Sequence, residues 1–174
     1  MSSQINCIET DREGFTVAYS AVSLAQVIMP FNAGPSGVYA HGGEIIKIMD
    51  TAAGLAALKH AHTDVVTLRV EGINFLHPIR VGNYVKVDAK LTFASRSTME
   101  IRVKVTAEDV KRDKQWEALT AYFIFAAIKE DGTSTEIPAL IVSSDLERRR
   151  FREGEERYNT CRIDEHYRTL CAIG

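Results

Sequence analysis

The chain has 174 residues, 45% of them hydrophobic and 25% charged, the size and balance of one globular domain; wholesale disorder and a membrane-dominated chain are excluded. Its 21 Lys+Arg against 23 Asp+Glu give a formal charge of -2, so no global field draws it to nucleic acid or an anionic membrane, and any anion site has to be local. Cys7, Cys161 and Cys171 have no CxxC spacing and an odd count, which argues against a disulfide framework or a zinc site and fits a reducing cytoplasm.

The opening stretch, MSSQINCIETDREGF, has acidic residues where a signal peptide needs an apolar core, and no stretch approaches the ~18 apolar residues of a membrane span. A cytoplasmic protein is expected. The segment from Phe15 to Ile28 predicts a strand that stops at Pro30. After the turn-forming residues Asn32 to Ser36 comes the clearest helix signal, from about Gly43 to His60. Ile45, Ile46, Met49, Ala52, Ala53, Ala56 and Ala57 recur at steps of three and four, over an arc wide enough to predict burial on most sides.

Strands follow. Val66, Leu68 and Val70 alternate with polar residues, and beyond Gly72 the apolar residues Ile73 and Phe75 change parity, as a β-bulge at glycine would produce. Val85, Val87, Ala89, Leu91 and Phe93 form one apolar face, and Met99, Ile101, Val103 and Val105 repeat the pattern. The polar residues between them predict a hairpin with Arg96 at its tip. Ala118 to Ile128 is apolar nearly throughout, as a strand covered on both faces would be. Ser144 with Glu147 fits a capping box for a charged helix that only Leu146, Phe151 and Tyr158 could anchor. Its arginines at 148 to 152 are expected to be solvated and paired with nearby acids, and the residues to Gly174 to form a poorly packed tail. Residues 1–142 are thus read as the domain, and 143–174 as a charged helix and tail.

Asp50 is the residue that does not fit, a carboxylate in the middle of the most apolar element. Burying an unpaired carboxylate costs several kcal/mol, a cost tolerated chiefly where a site needs the group; the alternative is a structural Asp bonded to its surroundings or turned to solvent. Upstream, His41-Gly42-Gly43 places two glycines at the helix start, where unpaired N–H groups and the positive dipole end suit an anion or oxyanion. His60 and His62 are two residues apart, the wrong spacing for a shared helix face, and no metal set is completed; there is also no P-loop, GxSxG or GxGxxG.

From His41-Gly42-Gly43 through Met49-Asp50 to Gly54, and again at Val65-Val66-Thr67, Val70 to Phe75, Pro78 to Gly82 and Ser95 to Glu100, the sequence resembles the hotdog-fold acyl-CoA thioesterases of the acyl-CoA hydrolase group. The resemblance spans roughly residues 15 to 130. It implies an α+β fold, with an antiparallel sheet wrapped around one long helix and active sites between paired subunits. A homo-oligomer is implied, at least a dimer and by resemblance a trimer of dimers, with an acyl-CoA substrate, no cofactor, and neither nucleic acid nor membrane as partner. Asp50 matches the catalytic carboxylate, acting as general base on water or as nucleophile. Gly43, with Gly42, would polarise the thioester oxygen, and His41 would cap the helix or assist. A polar residue before the double glycine is expected to act with the aspartate of the facing subunit, and Asn32, Ser36 and Tyr39 compete for that role. For coenzyme A, Arg96 with Ser97 and Thr98 is the first choice, with Arg80 and Asn74 as further candidates. A hotdog hydratase or dehydratase, or a non-catalytic acyl-CoA sensor, is the rival reading.

Overall fold

The computed structural model describes residues 13–163; the opening stretch, Cys7, Cys171 and the tail beyond Ile163 lie outside the described residues. In chain order the elements are β1 (Gly14–Thr16), α1 (Val17–Ser20), β2 (Val22–Val27), α2 (Gly42–Ala61), β3 (Asp64–Phe75), β4 (Tyr84–Ala94), β5 (Thr98–Asp109), β6 (Lys114–Ile128), β7 (Ala139–Ile141) and α3 (Asp145–Ile163), with one 3-10 turn at Pro30–Asn32. The strand expected from Phe15 to Ile28 is therefore divided. Thr16 accepts the N–H of Tyr19 and starts the helical turn α1, so β1 pairs with β7 in a small parallel sheet while β2 joins the main one.

The main sheet is antiparallel, in the order β2-β4-β5-β6-β3, and α2 lies across its inner face. Alternation builds that face: Val85, Val87, Ala89, Leu91, Ile101, Val103, Val105, Phe123 and Phe125 are buried against the Ala52, Ala53, Ala56 and Ala57 stripe of α2. Small helix residues let the sheet come close, while the larger strand residues fill the space between. Burial on most sides of α2 is not what a single chain shows. Leu55 and Leu58 are 43% and 44% exposed, because one five-stranded sheet covers only one side of the helix.

Departures from simple alternation in β4 and β3 place side chains that matter for α3 and for the site. In β4 the register slips between Leu91, opposite Ile101, and Phe93, opposite Glu100, so Phe93 points to the outer face rather than joining Leu91. There it meets Phe151 and Tyr158 of α3, with ring centroids at 5.1 and 5.3 Å. In β3 the expected irregularity lies between Glu71 and Asn74, at Gly72 with φ +58, but a second slip occurs between Thr67 and Arg69. Thr67 stands opposite the inward Phe125, so in the first half of β3 it is Thr67 that faces α2, and Val66 is 39% exposed. On β6 the inner residues Ala121, Phe123, Phe125 and Ala127 are buried, whereas the outer Tyr122 and Ile124 are half-buried.

The capping box of α3 is present: Glu147 N–H donates to Ser144 Oγ at 3.2 Å, and Ser144 N–H donates to Glu147 Oε2 at 3.1 Å. Leu146 is no anchor, being 46% exposed. Its place is taken by Gly154 and Arg157. A Cβ on Gly154 would fall 2.7 Å from Phe93 Cβ, so only glycine allows this approach. Arg157 forks onto buried Glu100 through two bonds of 2.8 Å and lies over the Tyr122 ring at 4.3 Å.

Candidate functional site

His41 is the N-cap of α2, with extended φ and ψ, and its Nδ1 accepts the Gly43 N–H at 3.0 Å. His41 therefore caps, and the Gly43 donor is engaged. The Gly42 N–H has no partner among the described residues, and a Cβ at Gly42 would press on the Phe75 ring at 3.3 Å. Beside it lies an apolar cleft of about 340 Å³, lined by Tyr39, Gly42, Ile45, Phe75, Leu76 and Leu119 among others.

Asp50 lies two turns further along. It is half-buried rather than enclosed, and its Oδ1 accepts the Thr67 hydroxyl at 3.0 Å. The carboxylate thus sits in the open seam between α2 and the free edge of β3, held in one orientation. Alternation in β3 puts the apolar residues at Val66, Leu68 and Val70, which hides Thr67; the Val65-Thr67 parity is the signal that points to it. Glu44, also missed, accepts from Asn32 Nδ2 at 3.1 Å.

Of the three residues competing before the double glycine, Asn32 alone is buried. Its Oδ1 accepts the Met29 N–H, and its carbonyl accepts the His41 N–H, so the loop is tied to the helix start. Ser36 is exposed and only accepts the Val38 N–H of its own turn. Tyr39 is exposed beneath Arg80, which donates to its hydroxyl at 3.4 Å.

Of the coenzyme A candidates, Arg96, Ser97 and Thr98 stay together at the β4–β5 hairpin, and Arg80 is held apart from them. Arg96 is at the hairpin tip, paired with Glu136. Thr98 exchanges a hydroxyl contact with Ser95 at 2.7 Å, Ser97 is buried, and Asn74 Nδ2 closes onto the Gly72 carbonyl. Arg80 precedes β4 and Arg96 follows it, so the 11 residues of that strand, at ~3.3 Å each, hold the two apart. Among the described residues no group of three His, Cys, Asp or Glu could hold a metal ion. His60 is instead a buried link: its Nε2–H donates to the Pro138 carbonyl at 3.1 Å, and its Nδ1 accepts from Ser20 at 2.8 Å. Burial, opposed by the Pro138 bond and aided by the charge of His62, holds its pKa below the usual 6.5.

The model of the thioesterase superfamily matches residues 38–113. A hexameric broad-specificity acyl-coenzyme A thioesterase, solved as an Asp-to-Ala variant, is 31% identical, with a TM-score of 0.63 over 66% of this chain and 84% of that one. The chain belongs to the thioesterase superfamily. Its hotdog fold is shared with an Asn-to-Ala variant of acyl-CoA hydrolase from Staphylococcus aureus solved with coenzyme A, at 26% identity and a TM-score of 0.81 over 94% of this chain and 98% of that one. The cytosolic acyl coenzyme A thioester hydrolase of Homo sapiens is 37% identical over 145 residues, 82% of this chain. The chain spans 38% of that relative's length.

Proposed function

We propose that this hotdog protein hydrolyses acyl-CoA thioesters in the cytoplasm, at sites shared between two copies of the chain. The observation that carries the reading is the Asp50 carboxylate, oriented by Thr67 at 3.0 Å on an uncovered seam, in a chain with a helix start built for an oxyanion. Asp50 either takes a proton from water as the water attacks the thioester carbon, or attacks that carbon itself and is released by water. In both routes the C–S bond breaks and coenzyme A leaves as the thiol. The Gly42 N–H, free at the positive end of α2, supports the oxygen that becomes negative. Gly43 joins it when His41 turns away. Asn32 is a positioning residue, holding the loop and Glu44 against the helix start. The apolar cleft beside Gly42 takes the acyl group.

Geometry supports a site of two chains. Gly43 and Asp50 are seven residues apart, ~10 Å along the axis, whereas a base and an oxyanion donor must both lie within ~3 Å of one reacting group. Leu55 and Leu58 on α2, and Val66 and Ile73 on the edge strand β3, leave an apolar seam that a second copy would cover, pairing antiparallel so that each Asp50 meets the other helix start. Arg96 and Arg80, at opposite ends of β4, would then serve coenzyme A only from different copies. Hexameric assembly, which the relative above shows by name, fits a trimer of such dimers.

The test is Asp50→Asn, with free coenzyme A read by a thiol reagent. Turnover should fall by roughly 10² to 10⁴ with the melting temperature and oligomer unchanged. Turnover near that of the wild type would remove Asp50 from the chemistry, and absence of thiol release by the wild type would favour the hydratase or sensor reading.

A further inference from the structure

The outer face of the sheet carries a cleft of about 210 Å³ lined by Lys90, Arg102, Lys104, Arg150 and a single acid, Asp88. The strand register makes the arrangement costly: Lys90 stands directly opposite Arg102, a like-charge cross-strand pair, and Asp88 opposite Lys104. Asp88 does not neutralise the group, since it already receives the Ser23 hydroxyl at 2.8 Å and Lys86 at 3.3 Å. Among the described residues none of the four cationic side chains has an ion pair or hydrogen bond. α3 is rich in acids, yet Asp145 turns to Arg148, Glu147 to Ser143 and Ser144, and Glu153 to Arg149, leaving Arg150 to add a further positive charge. Local Glu pairing, expected for these arginines, does not extend to Arg150.

We propose that Lys90, Arg102, Lys104 and Arg150 form an oligophosphate-binding site, whose ligand bridges α3 to β4 and β5. Two guanidinium forks suit phosphate oxygens, and the two ammonium groups add charge without fixing geometry. The lining has no aromatic ring, so the phosphate chain is recognised and no base is stacked. Such a chain comes either from a free oligophosphate or from the diphosphate of coenzyme A. The site does not depend on the thioester reading, because binding is read without turnover.

The probe is pyrophosphate, titrated calorimetrically into the full chain at low ionic strength. One saturable event per chain is expected, with affinity falling as KCl is added. Arg102→Gln and Arg150→Gln should each weaken it about tenfold, the matching Lys variants less, while kcat for coenzyme A release at saturating acyl-CoA stays unchanged. If the same variants raise KM for acyl-CoA and coenzyme A displaces pyrophosphate, the substrate's own diphosphate is the ligand; an unmoved KM identifies a separate anion. No saturable binding at millimolar pyrophosphate, or binding indifferent to both Gln variants and to Lys90→Gln, overturns the site and leaves these cations to the carboxylates of another chain.

Discussion

The two long helices lie on opposite faces of one sheet and hold to it by different physics. α2 meets the inner face through alanines and Met49, all fully buried, and its contacts are shape and dispersion. α3 meets the outer face through one glycine, two aromatic rings and an ion pair whose carboxylate, Glu100, is 5% exposed. A core helix is fixed by size, whereas a helix on a wet face needs polar partners to choose its register. The difference also separates roles: the candidate chemistry lies along α2, and α3 contributes attachment and, through Arg150, one cation of the outer cleft.

Breaking the ion pair should give the largest effect on stability. Arg157→Ala leaves Glu100 buried with only Thr92 at 2.6 Å for compensation, and should cost about 3 kcal/mol in chemical denaturation while turnover falls little. Loss of turnover in step with stability would mean that α3 supports the site directly. A smaller effect is expected at α2, which has a buried polar link of its own in His60. Its pKa is lowered on folding, so above the unfolded value near 6.5 both states are neutral and it costs nothing. As pH falls below that value the unfolded chain binds the proton first, and stability declines towards the lower folded pKa. Melting curves between pH 7 and 5.5 should show a fall in stability as the pH drops, and His60→Gln should flatten it. This window lies above that of Asp145 and Glu147, held low by the Arg148 side chain and the Ser143 N–H respectively, whose contributions fade only in the carboxylate range.

Much of the fold was legible because periodicity and packing agree: the 3.6-residue stripe of α2, the alternation in β4 and β5 and the capping box of α3 each stand where the pattern puts them. Phe93 and Thr67 were not legible in the same way. A one-residue slip moves every later side chain to the other face, and nothing in the composition near Leu68 or Thr92 marks a bulge as Gly72 does. The hydrogen bond from Thr67 to Asp50 was hidden by that parity. The engagement of Gly43 by His41, and of Arg96 by Glu136, depends on rotamers and on a residue 40 positions away, which local spacing does not encode.

In the proposed dimer each site draws Asp50 from one chain and the helix start from another. Asp50→Asn and Gly42→Val, the latter driven against Phe75, should each be inactive alone. Unfolding and refolding the two variants together at equal amounts should restore about a quarter of wild-type coenzyme A release, because half the dimers are mixed and each of these regains one intact site of two. Mixed oligomers that form and remain as inactive as either parent would place Asp50 and the helix start of the same chain in one site, and rule out a site shared between chains.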